Sequence, residues 1–337
     1  MRTNFFWFRR DLRLDDNTGL NMALYQGLPV IPLFIFDVNI LDDLVSDDPR
    51  ITFIYETLST LNSLLIRFGS SFLVKKGDPV KIWNELIDLY DINAVYVNED
   101  YEPYALSRDD IIESLLGKKN IPLHKFKDQV IFAGNDILKS DATPYTVFTP
   151  YKKRWILKLQ ESPIELNSDP GQSKKNFLRQ QNRFPSLMEI GFKKSKVRVR
   201  PYNLSAIKEY DRFRNSPSAD KTSYLSPYLR FGTVSIRRVV RLAYELNTVF
   251  LNELIWREFF MQILFHFPHV VTANFKPAYN DIQWRNEEKE FLRWCNGETG
   301  YPIVDAGMHQ LNRTGYMHNR VRMITSSFLC RDLLIDW

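Results

Sequence analysis

Three short stretches carry side chains whose types and spacing suit chemistry. In NELIWREFF, Glu253, Trp256 and Arg257 lie three and four residues apart, so a helix presents a carboxylate, an indole and a guanidinium on one face. That face could hydrogen-bond and stack a flat ligand, or form an ion pair over a packed Trp. Thr222, Ser223 and Ser226, with Tyr224 and Leu225 between them, cluster hydroxyls and backbone N–H groups at the start of a helix. Such a cluster either holds a pyrophosphate or caps the helix. From about Asn319 the chain reads as a helix with Val321, Ile324, Phe328 and Ile335 as its buried stripe. Its other side carries Asn319, Arg322, Met323 and Ser326, with Arg320 at the border and no acid. This side suits an anionic, partly apolar ligand, or is the basic outer face of an ordinary core helix.

The elements that would position these groups follow from composition and periodicity. With 337 residues the chain is long enough for two cores, and 44% hydrophobic with 25% charged residues is a globular composition. The net charge of +5 permits nucleic acid as a partner without requiring it. Cys295 and Cys330 are the only cysteines, with no CxxC and no His spacing for a metal, so neither structural zinc nor a disulfide framework is expected. MRTNFFWFRRDLRLDD has no apolar core of a signal peptide, and no apolar run reaches the length of a membrane span. A soluble, cytoplasmic protein is the expectation.

Apolar runs at Asn4–Phe8, Val30–Phe36, Ser71–Val74, Ala94–Val97 and Ile121–Phe126 predict strands. They alternate with predicted helices at Thr18–Tyr25, Arg50–Phe68, Pro79–Tyr90 and Pro103–Leu116. This alternation predicts an α/β, doubly wound parallel sheet of Rossmann type over residues 1–130. No GxGxxG follows the first strand, which argues against a nicotinamide-dependent dehydrogenase. Arg9, Arg10 and Arg13 in WFRRDLRLDDN read equally as ties between loop and sheet or as ligand contacts. Residues 131–200 read as a connector. From Tyr151 to Arg200 it holds thirteen Lys/Arg against four Asp/Glu, punctuated by Pro163, Pro170, Gly171 and Pro185. A solvated basic linker is the expectation, with phosphate contact as the alternative. SLMEIGF at Ser186–Phe192 is expected as a short helix. Residues 201–337 read as an all-helical domain, with helices at Ala206–Phe213, Ser235–Leu246, Phe250–Phe265, Glu287–Trp294 and Asp305–Leu311.

The stretches WFRRDLRLDDN, KTSYLSPYLRFGTVSIRR and NELIWREFF, with TGYPIVDAGM and NRTGYMHNRVRMITSSFLCRDLLIDW, resemble the cryptochrome/photolyase family. Within it they resemble the class I cyclobutane pyrimidine dimer photolyases. The resemblance spans nearly the whole chain and implies an antenna domain followed by a helical FAD-binding domain. It implies light-dependent DNA repair, a carbon–carbon lyase reaction driven by electron transfer from excited reduced FAD to a flipped-out dimer. The implied FAD contacts are Tyr210, Thr222, Ser223, Tyr224, Leu225, Ser226, Arg257, Asn319 and Arg322. The implied DNA contacts are Arg214, Glu253, Trp256, Asn319, Arg320 and Met323. Of these, Glu253, Trp256, Asn319 and Met323 meet the dimer, with Glu253 hydrogen-bonding the damaged bases and Trp256 stacking on them. Trp284 and Trp337 match two members of a tryptophan chain that carries electrons to the flavin. His318 stands alone, whereas photolyases for the (6-4) lesion carry a histidine pair, so it reads as structural.

In folate-binding relatives an acidic side chain after the strand near Val95–Val97 grips the pterin. Tyr104 and Ala105 match the folate-contacting Asn-Glu pair, and Ala cannot accept those hydrogen bonds. Folate is therefore not expected, and a flavin-type antenna or none stays open. The expected partner is DNA containing pyrimidine dimers, with no membrane and a monomeric protein. Family members continue past the position of Trp337 through a helical segment that completes the flavin pocket. The helical domain is thus expected to be incomplete, exposing Phe328 and Leu333. A cryptochrome-like blue-light receptor and an inactive fragment are the alternatives.

Overall fold

The computed structural model describes residues 1–166 and 173–337. Two strands set the architecture, because β1 (Thr3–Phe8) and β2 (Val30–Asp37) are buried along their whole length. Strands covered on both faces belong at the centre of a parallel sheet flanked by helices. With β3 (Leu73–Gly77), β4 (Ile92–Asn98) and β5 (Leu123–Phe126) they form one sheet in the order β3-β2-β1-β4-β5, parallel throughout. Phe5 sits level with Ile31 on one side and Val95 on the other. Alternate residues of β1 feed opposite cores, with Phe6 and Phe8 meeting Leu20, Leu58 and Phe72, and Phe5 and Trp7 meeting Trp83 and Ile112.

The flanking helices are α1 (Thr18–Tyr25), α2 (Val38–Leu41), α3 (Pro49–Arg67), α4 (Pro79–Leu89) and α5 (Pro103–Gly117). Asn17, Asp37, Asp48 and Asp78 cap the first four by accepting a first-turn N–H, and Pro opens α3, α4 and α5. The expected strand at Ser71–Val74 instead begins at Leu73. Asn62 explains the delay, because its side chain takes the Phe72 N–H at 2.8 Å before the ladder starts.

Beyond the sheet follow α6 (Phe148–Glu161), α7 (Tyr210–Phe213), α8 (Ser226–Arg230), α9 (Ile236–Leu246) and α10 (Thr248–His266). The chain closes with α11 (Glu288–Asn296), α12 (Pro302–Thr314) and α13 (Asn319–Ser327). Among the described residues no strand lies after Pro201. The helix expected over Ala206–Phe213 is a 3₁₀ turn, Leu204–Glu209, running into α7. SLMEIGF is a tight turn rather than a helix. Glu189 bonds back to the Ser186 backbone and hydroxyl, and Gly191 turns left-handed at φ +87. Phe177, Ile190 and Phe192 pack into the sheet core, so this basic stretch is anchored by its apolar residues. Pro170 and Gly171 lie outside the described residues.

The sheet and the helical half meet over the loop after β1, which is also where the strand order reverses and α/β sheets open their ligand crevice. Here three arginines of that loop are engaged by protein groups. Arg9 reaches Asp109 and the Asn98 carbonyl, and Arg10 reaches Asp100 and Glu102. Arg13 donates to Asp128 at 2.6 Å and to the Gly232 carbonyl at 3.0 Å. All three arginines are therefore ties. Arg237 on α9 completes the junction with bonds to Asp16 at 3.0 Å and Asp128 at 2.8 Å. Burial alone would raise the Asp128 carboxyl, but Arg13 and Arg237 outweigh it and hold it below the usual carboxylate range.

Candidate functional site

Helix α10 carries the carboxylate, indole and guanidinium, and two contacts with α6 fix its rotation. The Asn247 side chain caps it, accepting from the N–H groups of Val249 and Phe250, both at 3.1 Å. Glu258 is buried and accepts from Ile131 N at 2.7 Å, Phe132 N at 3.1 Å and the Trp155 indole at 2.6 Å. Two residues earlier, Trp256 stacks parallel on Phe148 with ring centroids 3.6 Å apart. Phe148 and Trp155 both belong to α6, so a buried carboxyl at one site and a ring stack at the other set the indole plane.

Burial pushes the Glu258 carboxyl up to about 7, against the pull of its three donors. A carboxyl raised in the folded state contributes stability that is complete below its unfolded value near 4.5 and lost as pH rises through the folded value. Between about pH 5 and about pH 8, the parent should lose stability relative to Glu258→Gln by on the order of a few kcal/mol. Urea denaturation of both proteins across that range checks this, and parallel pH profiles would refute it.

Glu253 and Arg257 turn to different partners. Glu253 pairs with Arg214, which follows α7, at 2.9 Å, and the Arg214 guanidinium lies over the Tyr210 ring at 5.2 Å. Arg257 points to the junction with the sheet and donates to the Gln129 carbonyl at 2.9 Å and the Leu229 carbonyl at 3.5 Å. Desolvation draws its guanidinium down to about 10; Glu258 opposes this, while Arg10 and Arg230 reinforce it. The three residues share a helix face in spacing, but the fold divides them between two sites.

The loop entering α8 is held from outside. Tyr224 is left-handed at φ +53, a cost that a non-glycine residue bears only where its surroundings impose it. Arg200 imposes it, bonding Asp220 at 3.1 Å and the Tyr224 hydroxyl at 2.6 Å, while Asn203 N donates to the Ser223 carbonyl at 2.8 Å. The Tyr316 hydroxyl donates to Thr222 Oγ1 at 3.0 Å and so ties this loop to the turn before α13. Helix α8 has five residues, too few to develop a useful dipole, and no side chain caps it. The side-chain cap that the sequence offered as the alternative reading is therefore absent from α8. Among the described residues no protein group pairs with the N–H groups of Tyr224, Leu225 and Ser226 or the hydroxyls of Ser223 and Ser226. The loop offers a strained arc of free donors.

On α13, Val321 is buried and Ile324 half-buried while Asn319, Arg322, Met323 and Ser326 are exposed, as the spacing predicts; Thr325, outside the expected stripe, is buried as well. The helix does not continue to Ile335. It ends at Ser327 and widens into a π turn, Phe328–Asp332, and Leu334 at φ +53 then redirects the chain so that Ile335 is buried. Phe328 is buried against Tyr301 and Leu333 is half-buried, which corrects the expectation that both are exposed. His318 is structural: its Nδ1 caps α13 by accepting from Arg320 N at 3.2 Å. Trp284 and Trp337 meet edge to face at 5.7 Å, with the terminal segment held by Arg285 N on the Leu334 carbonyl at 2.8 Å.

The fold thus gathers Tyr210, Arg214 and Glu253 with Arg320, which bonds Asn215 at 2.6 Å. Beside them it sets Thr222 and Tyr224 against Tyr316. The Tyr210 phenol is pushed up by burial first and then by Glu253, with Arg214 and Arg320 opposing, which places α7, α10 and α13 around one ring. No hydrogen bond, ion pair or ring contact among the described residues joins Trp256 or Arg257 to α13. Phe148, Arg200, Glu258 and Tyr316 escaped the sequence reading. Only Tyr316 and Glu258 had a usable signal, since both lie inside motifs already singled out.

Residues 4–169 match the family model described as DNA photolyase, and residues 250–337 match that of the FAD binding domain of DNA photolyase. A deoxyribodipyrimidine photo-lyase of Synechococcus sp. is 34% identical, over 98% of this chain and 75% of the relative. That of Halobacterium salinarum is 33% identical, over 98% and 76%. The crystal structure of a bacterial class III photolyase from Agrobacterium tumefaciens superposes with a TM-score of 0.82 at 30% identity, covering 100% of this chain and 74% of that one. An archaeal photolyase from Sulfolobus tokodaii, solved with two FAD molecules, superposes with a TM-score of 0.81 at 30% identity, over 100% and 76%.

Proposed function

Because the chain belongs to the DNA photolyase family, whose activity is light-dependent DNA repair, we propose that it splits cyclobutane pyrimidine dimers extruded from DNA. The observation that supports this most is the meeting, around Tyr210 and Tyr316, of a free-donor loop with a carboxylate set among arginines.

FAD fits the residues present. The strained arc at Thr222, Ser223, Tyr224, Leu225 and Ser226 would hold its pyrophosphate, since free N–H and hydroxyl donors in a concave loop suit phosphate oxygens. Tyr210, Asn319 and Arg322 would line the rest of its site. Arg257 would act on the wall of that site, through the Gln129 and Leu229 carbonyls. The chemistry that reduced FAD supplies when bound is light-driven electron donation. Trp284 and Trp337, already in contact, would serve electron entry. A folate antenna does not fit. Ala105 is buried, Tyr104 donates to Asp37 at 2.6 Å, and Glu102 is held by Arg10 and Arg230.

The chain's own side chains would grip the lesion. Arg214 and Arg320 offer guanidinium forks to phosphates and carry no sequence preference. Extrusion costs least for a lesion that already stacks badly. Trp256, Asn319 and Met323 would then pack the two bases, and Glu253 would accept their N–H hydrogen bonds. Trp256→Ala should weaken binding to dimer-containing duplex by roughly 1–3 kcal/mol and leave undamaged duplex nearly unchanged. A fluorescence-anisotropy titration of both DNAs measures it. The function itself is tested by absorbance of the purified chain for co-eluting flavin, then by dimer content of an irradiated oligonucleotide under near-UV light and in darkness. Equal dimer content in both, with flavin bound, would exclude repair.

A further inference from the structure

The ion pair between Glu253 and Arg214 joins two groups that the reading above assigns to different parts of the DNA. In the free protein each occupies the other. The Arg214 Nη1 to Glu253 Oε1 distance is 2.9 Å, a single approach rather than the two-point fork that guanidinium and carboxylate can form. The side chains are 27% and 32% exposed, open enough for a solvent-borne group to reach either partner. Arg214 keeps its place without Glu253, because its guanidinium also lies over the Tyr210 ring. Among the described residues Arg214 is the only ion-pair partner of Glu253.

A carboxylate on a guanidinium occupies the position a phosphate would take. We propose that Glu253 stands in for a DNA phosphate at Arg214, and that the two separate only when an extruded base takes the carboxylate. Arg214 then becomes a lesion-dependent phosphate contact and Glu253 a residue that sets specificity. Undamaged duplex presents no base at Glu253, so Arg214 stays paired and contributes nothing to its binding. A flipped dimer supplies N–H donors to the carboxylate, releases Arg214 and gains one phosphate contact. Discrimination thus gains a contribution from a contact withheld from undamaged DNA. This inference rests on the dimer-binding reading and refines it.

Salt dependence reads the exchange directly, because each phosphate contact adds about 0.9 to the slope of log affinity against log salt on duplex DNA. Affinities of the full chain for one duplex, with and without a single dimer, are measured across a salt series. The parent should show a slope steeper by about 0.9 on the dimer duplex. Glu253→Gln should carry the steeper slope on both duplexes and bind the undamaged one about two- to fivefold tighter, the release of one half-exposed ion pair. Arg214→Gln should show the shallower slope on both duplexes. If the parent prefers the dimer duplex yet both slopes agree, or Glu253→Gln leaves undamaged binding unchanged, the exchange is wrong while dimer recognition stands. Absence of any preference for the dimer would overturn both. Each variant alone separates the alternatives, so failure of one to fold leaves the other decisive.

Discussion

Asp128→Ala is expected to lower the unfolding free energy by about 3–5 kcal/mol, the cost of leaving buried charges without their partner. Asp128 follows β5 and takes Arg13 from the loop after β1 at 2.6 Å and Arg237 from α9 at 2.8 Å. It also accepts from the Thr18 N–H and hydroxyl, both at 3.1 Å. The carboxylate is 1% exposed, and the two guanidinium groups are nearly as deep, so water cannot replace it. Asp128→Asn keeps an acceptor and removes the charge, and should fall between parent and Ala. Urea denaturation at neutral pH measures the series; a loss below about 1 kcal/mol, the range of surface pairs, would mean that this cluster contributes no more than an exposed one. The sign with pH opposes that of Glu258. A carboxyl held below its usual value contributes stability above its unfolded pKa, lost as pH falls through the depressed folded value.

Gly232→Ala is expected to push the loop after β1 away from the helical half. At φ +62 this glycine already occupies the left-handed region, and a Cβ there would lie 2.2 Å from the Arg10 carbonyl oxygen and 2.6 Å from Asp11 Cα. Both obstacles are backbone, which cannot swing aside as a side chain would. Relief would break the bond from Leu12 N to the Phe231 carbonyl, 3.0 Å long, and loosen Arg13 from the Gly232 carbonyl. Overpacking and the left-handed penalty together should cost about 3 kcal/mol or more. Gly27→Ala is the control: it has φ +76 but nothing within 4 Å of its added Cβ, so it should cost only about 1 kcal/mol. Parallel denaturation curves and limited proteolysis separate the two. Equal losses at both positions would show that the close approach is not a constraint.

These expectations divide what local pattern carries from what contact decides. The buried strands β1 and β2 were legible because short apolar runs such as FFWF, bounded by turn residues, suit strands covered on both faces. The starts of α3 and α4 were legible because Asp-Pro caps and opens a helix at once. Spacing likewise placed Glu253 beside Trp256, and Arg322 beside Met323 on the exposed side of α13. Motif likeness supplied the family before any coordinate did.

Spacing could not show that Arg257 turns from Glu253 toward the Gln129 and Leu229 carbonyls. Nor could it show that Glu253 meets Arg214, that Phe148 covers a face of Trp256, or that Glu258 is enclosed by three donors. It misread SLMEIGF, where a side chain competing for the backbone and a left-handed Gly191 outweigh helical propensity. It extended α13 too far, because nothing local announces a π turn. Periodicity reports which way a side chain leaves its own element. Which remote group compensates a buried charge, or stacks on an indole, depends on contacts far apart in sequence, and only the tertiary structure brings them together.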